Sequence, residues 1–205
     1  MFRKVSVFLC LFLLWGNSYG QAPDATVIIH QNMLNAFLDA VGPVSGTKDF
    51  NFLSVKGKYT WTLRNARIEL LPDHARFLAD ANIKAGPVSY SSPAVGNVEV
   101  RYDPRENRIK IRVEHAVFEV YTKIFGRKIH IANVDAAEFY HPRFEFAGPR
   151  PVDTSVRVKL PDDREKILYI IPVSQEMRIE DRAIVVTSHM VFSDRPPHDL
   201  DERPR

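Results

Sequence analysis

The chain has 205 residues, 28 of them basic and 25 acidic, and a single cysteine, Cys10. Cys10 lies in an N-terminal stretch with the three parts of a secretion signal: Arg3 and Lys4, an apolar run over residues 5–15 broken only by Ser6, and a small polar end with Ser18 and Gly20 placed for a cut before Gln21. Removing residues 1–20 leaves no cysteine and 26 basic residues against 25 acidic, a net charge of +1, which excludes disulfides, thiolate catalysis, Cys-ligated metals and the basic stripe that a nucleic-acid partner needs.

An apolar run of that length is too short to span a bilayer, so the segment reads as cleaved and not as an anchor. Cys10 follows Phe8 and Leu9 with nothing small before it, which argues against lipid attachment. The expected location is the periplasm or the external medium, and the lack of any Asn-x-Ser/Thr sequon favours a bacterial envelope. Residues 21–192 suffice for one domain with its own core.

In chain order, residues 25–29 alternate weakly and predict a strand. Residues 30–41 carry Met33, Leu34, Phe37, Leu38 and Val41 at offsets of three and four, the pattern of one face of a three-turn helix. Gly42-Pro43 ends it, because glycine suits the C-cap and proline cannot continue the helix. From Phe50 the period changes to two. Tyr59, Trp61 and Leu63 share one face, and Ala66, Ile68 and Leu70 lead to a turn at Pro72-Asp73. Ala75, Phe77, Ala79, Ala81 and Ile83 then alternate with a mostly polar set. Val98, Val100 and Tyr102 run into Asp103-Pro104, and Ile109, Ile111 and Val113 begin a long run to Tyr121. A turn at Gly126 and a strand over residues 128–132 follow. Val156, Val158 and Leu160, then residues 167–171, then Met177 and Ile179, then Ile184, Val186, Met190 and Phe192 complete the set. About ten strands joined mostly by short turns predict an antiparallel meander with one helix, an α+β class that is mostly β. Residues 193–205, rich in proline and charge, predict a disordered tail.

The search for reaction chemistry finds little. Ser45-Gly-Thr-Lys48 matches the S-x-x-K pattern of penicillin-binding proteins and β-lactamases, but those enzymes put the serine at a helix start and need further motifs that this chain lacks. Here it falls in a predicted Gly-rich turn. The seven histidines are scattered, and His74, His115 and His189 sit within strands or at their edges. Glu145 alternates outward if Phe144 and Phe146 point in. Glu114 and Glu119 fall on opposite faces of the long predicted strand, too poorly placed for an acid/base pair. No enzyme activity, metal or cofactor is expected.

The apolar pattern is more telling. One strand presents Ala75, Ala79 and Ala81 inward, which leaves room either for the helix to lie close or for an apolar ligand between helix and sheet. The hairpin over residues 121–128 puts Ile124 and Phe125 at its tip beside Lys123, Arg127 and Lys128. It is either an apolar tip in a cationic collar, suited to transient contact with an anionic membrane surface, or a tip folded back on the core.

The order of elements, with a secretion signal, one early helix carrying Met33-Leu34-Asn35 and Phe37-Leu38, and then a long antiparallel meander, resembles the tubular lipid-binding superfamily, in particular small bacterial envelope members with one module. The resemblance spans most of residues 26–192. It implies a strongly curved sheet wrapping the helix, and a groove that holds lipid or another apolar small molecule. By that resemblance Met33, Phe37, Leu38, Trp61, Phe77, Phe118 and Tyr121 would line the groove through shape and apolar contact. The chain departs from the usual form in lacking a long C-terminal helix. A structural or protein-interaction module of the envelope with a filled core is the competing expectation, and oligomeric state is left open.

Overall fold

The computed structural model describes residues 22–52, 55–86, 88–124, 126–138 and 142–197. The predicted signal segment, Phe125 of the hairpin tip and the tail from residue 198 therefore lie outside the described residues.

Among the described residues the chain is mostly β with one α-helix, and its strands are antiparallel. Strand β1 (Ala25–His30) runs directly into helix α1 (Gln31–Val41), whose C-cap is Gly42 at φ +73, with its N–H donating to the Leu38 carbonyl at 3.2 Å. Strand β2 (Val44–Phe52) follows at once, so Ser45 and Lys48 stand in a strand and not in the Gly-rich turn that the sequence suggests. The reason is tertiary. Gly46 lies under the Trp61 indole, so close that an added Cβ would sit 2.4 Å from Cζ2, and glycine there lets β2 pair flush against β3 (Val55–Leu71).

Strands β3, β4 (His74–Ala85) and β5 (Val88–Asp103) are long and pair in sequence order. The turn between β3 and β4 has Asp73 at φ +66, as the Pro72-Asp73 signal predicts. Alternation puts Tyr59, Trp61, Leu63, Ile68, Leu70, Phe77, Ala79, Ala81 and Ile83 in the core.

Beyond β5 the order becomes irregular. Strands β6 (Arg108–Val113) and β7 (Val117–Ile124) lie along one edge of β5 as a single line, interrupted at residues 114–116. The predicted continuous strand to Tyr121 is therefore broken. At the break Glu114 N–H donates to the Asn97 carbonyl at 2.9 Å, and His115's carbonyl crosses Gly96 where an added Cβ would be 1.5 Å away. Only glycine permits that crossing. Strand β8 (Arg127–Asp135) pairs with β7, a 3-10 turn follows (Ala136–Glu138), and β9 (Arg143–Ala147) returns to pair with β6.

The large sheet curls until its walls meet. Trp61 on β3 lies 5.8 Å, centroid to centroid, from Phe118 on β7, although β4 and β5 intervene. Helix α1 packs on β3, yet its Phe37 ring is 4.9 Å from Phe144 of β9 at the far end of the sheet order. Buried Ala75, Ala79 and Ala81 sit on the concave face, where small side chains let the opposite wall approach.

The remaining strands form a second sheet. Strand β12 (Ala183–Ser193) pairs with β1 on one side and β11 (Glu165–Glu180) on the other, and β10 (Ser155–Lys159) is the outer edge. Ile29, Ile184 and Val186 join its inner half to the main core. The two sheets are tied at the β11–β12 turn, where Arg182 N–H donates to the Leu70 carbonyl at 3.1 Å and its own carbonyl accepts Gln31 N–H at 2.9 Å.

Candidate functional site

Helix α1 organises the most suggestive surface. With eleven residues and no side-chain cap from His30, it is too short to persist alone and depends on packing. One face buries Leu34 and Leu38, worth about 1.5–3 kcal/mol each. A second carries Gln31 and Asn35 against β3, at the stretch where β2 has already ended its pairing at Leu63. Gln31 Oε1 accepts Leu70 N–H and Asn35 Oδ1 accepts Ile68 N–H, both at 2.8 Å. Two residues along a strand span about 6.6 Å, and one helical turn of four residues rises about 6 Å, so the two amides match alternate N–H groups. The helix thereby closes a strand edge.

The third face is Met33, Phe37 and Val41, each four residues apart. They are 47, 48 and 43% exposed, so the stripe is only half covered. Its neighbour is β9, where Phe144 and Phe146 turn inward and Arg143 and Glu145 outward, as the alternation predicts. Phe37 meets Phe144 edge to face at 72°, and Phe144 stacks with Phe146 at 6.4 Å. Phe144 is itself only 7% exposed, so the open part of this shallow trough beside β9 is the half-exposed helix stripe itself.

The residues expected to line one groove are divided between surface and core. Met33 and Phe37 belong to the trough. Leu38, Trp61, Phe77 and Phe118 are all at most 2% exposed and form the closed interior, with Trp61 packed on Phe118. Tyr121 joins neither. Its ring stacks on Tyr90 at 3.7 Å, and its N–H donates to the Tyr90 hydroxyl. Of the hairpin residues, Arg127 is exposed, while the side chains of Lys123, Ile124 and Lys128 and all of Phe125 lie outside what the structure describes.

Two features escape sequence reasoning. The first is the outer half of the second sheet. Val156, Val158, Leu168, Ile170, Pro172, Met190 and Phe192 share the face that, further in, carries buried Ile184 and Val186. Here it extends past the core, with Phe192 69% exposed and every residue of β10 exposed. The uninterrupted apolar run at residues 167–171, with no polar alternate, was the available signal.

The second is polar. The broken strand turns His115 outward. Its Nδ1 is 2.8 Å from Asp135 Oδ2, while Asp135 Oδ1 accepts Ala116 N–H at 2.8 Å and Ala137 N–H at 3.0 Å. The hydrogen bond and charge of Asp135 raise the imidazole pKa above its usual value. Burial works to raise the Asp135 carboxyl, but His115 and the two backbone donors outweigh it and hold it below the usual carboxylate value. A depression of about 500 Å³ beside this pair is lined by Arg112, Val113, Glu114, His115 and Arg143.

Among the described residues no group of three or more His, Cys, Asp or Glu is placed to hold a metal, and no helix is long and apolar enough to cross a membrane. No family model, curated protein or solved structure matches the chain.

Proposed function

We propose that this chain is an exported, non-enzymatic binder of lipid or another apolar ligand, acting in the periplasm or the medium, with the ligand seated on the half-exposed stripe of α1 beside β9. One observation carries the reading: the Met33–Phe37–Val41 stripe is left half exposed beside Phe144, on a helix whose other large apolar residues, Leu34 and Leu38, are buried. An acyl chain laid there gains roughly 25 cal/mol per Å² of apolar surface covered. The apolar seat is at the mouth of the curl, since the deeper residues pack against one another.

The test is titration of the purified protein with a fluorescent fatty acid, together with lipid mass spectrometry of an extract from the native host. Uptake that weakens at least tenfold in Phe37→Asp supports the reading. No uptake by the unaltered protein and no co-purified apolar molecule overturns it. A second reading, an envelope protein-interaction module, is favoured by the outer half of the second sheet and its open β10 edge. In that case Phe192→Asp abolishes a self- or partner-association seen by sedimentation, while Phe37→Asp leaves it intact.

A further inference from the structure

The depression beside the strand break holds a charge pattern that the fold leaves incomplete. In the pairing of β6 with β9, Arg112 stands directly opposite Arg143. Like charges directly opposite on a sheet destabilise the pair unless an anion lies between them. Arg112 is already engaged, at 2.9 Å from Glu99 and 3.3 Å from Glu114. Arg143 makes no ion pair among the described residues, although it lines both this depression and a smaller one of about 230 Å³ next to it.

The imidazole completes the arrangement. Strand irregularities commonly re-aim a side chain at a functional site, and this one presents His115 to solvent at the same rim. Asp135 is satisfied by three donors, so it fixes the ring through Nδ1 and leaves Nε2 free. Arg143 and Phe144 are consecutive on β9 and so face opposite sides of it, but β9 is the edge strand of its sheet, and the rim and the Phe37–Phe144 contact meet round that edge.

We infer that Arg143 and His115 hold an oxyanionic group, a phosphate, at this rim, with the guanidinium fork taking two oxygens and the imidazole Nε2–H a third. The inference deepens the apolar-ligand reading and rests on it for the tail. The ligand class is an amphiphile whose chain covers the exposed Met33–Phe37–Val41 stripe, passing round the β9 edge, and whose phosphate sits between Arg143 and His115. Glu114 lines the same depression, and its charge is offset by Arg112 at 3.3 Å.

The experiment compares lysophosphatidylglycerol with a neutral monoacylglycerol of equal chain length, and inorganic phosphate alone, by calorimetry on the full chain. The expected result is at least tenfold tighter binding of the phospholipid than of the neutral lipid. Arg143→Gln removes most of that ratio, Arg143→Lys restores part of it, and the exposed control Arg157→Gln leaves it unchanged. Thermal melts confirm that each variant is folded. Tight binding of inorganic phosphate that Arg143→Gln abolishes, without preference for the phospholipid, supports the oxyanion site and assigns it to a free anion. Equal binding of both lipids, unaffected by Arg143→Gln, overturns this inference and leaves the apolar-ligand reading standing. If neither lipid binds, the apolar-ligand reading falls, and the phosphate titration alone then decides the site.

Discussion

The two amides that fasten α1 to β3 give the sharpest test of the fold. Gln31→Met and Asn35→Leu keep side-chain volume but remove the acceptors that Leu70 and Ile68 N–H use. Both bonds are partly buried, and an orphaned buried donor costs about 1–3 kcal/mol. Partial water access places each nearer the lower end, so the double variant should lose about 2–4 kcal/mol, a large share of a typical total of roughly 5–15 kcal/mol. Asn35→Asp retains an acceptor and should lose far less. Urea unfolding followed by circular dichroism measures the difference. Because the freed segment is an unpaired strand edge, the double variant should also aggregate more readily. A double variant within about 0.5 kcal/mol of the unaltered protein would refute the claim that α1 closes this edge.

Three further outcomes follow from the structure. Gly96→Ala should abolish soluble expression or cost more than about 3 kcal/mol, since its Cβ would meet the His115 carbonyl and backbone cannot yield as a side-chain tip can; a normal melting temperature would show that the crossing is looser. His30→Asp should stabilise by about 0.5–1 kcal/mol, because His30 has extended N-cap geometry without a capping bond and the first turn has no acidic residue; an unchanged melting temperature counts against it. For the His115–Asp135 pair the two signs differ. The lowered Asp135 pKa contributes stability that fades as pH falls through its folded value, and the raised His115 pKa contributes stability that fades as pH rises through its own. Asp135→Asn should therefore cost most between those limits, and melts from about pH 3 to about pH 9 should show the gap narrowing at both ends. A gap that stays constant across that range would mean that Asp135 acts through its backbone bonds alone.

Much of the candidate site is local and so could be read from spacing. The helix over residues 31–41, its Gly42 stop, and the inward set Tyr59, Trp61 and Leu63 all follow from period and cap chemistry. The same holds for Phe144 and Phe146 facing away from Arg143 and Glu145, because alternation on a strand needs no knowledge of its neighbours. Period does not say which apolar residues stay uncovered. Met33, Phe37, Leu34 and Leu38 belong to one helical pattern, and their division between trough and core was decided by Gln31 and Asn35 seating the helix on an edge that β2 had vacated.

The sequence by itself determined the class of the protein: nearly balanced in charge, mostly antiparallel strand with one amphipathic helix. These properties are sums over residues or patterns along a few turns of chain. Only the tertiary structure decided that β1 pairs with β12, joining Ala25 to Ser188, and that β6 and β7 are one line broken over Gly96. It also decided that the expected groove is closed at Trp61 and Phe118 and open at Phe37. Those outcomes depend on contacts between residues far apart in the chain, where the closeness of two backbones or the fit of two amides to two N–H groups selects one arrangement among many that share the same local pattern.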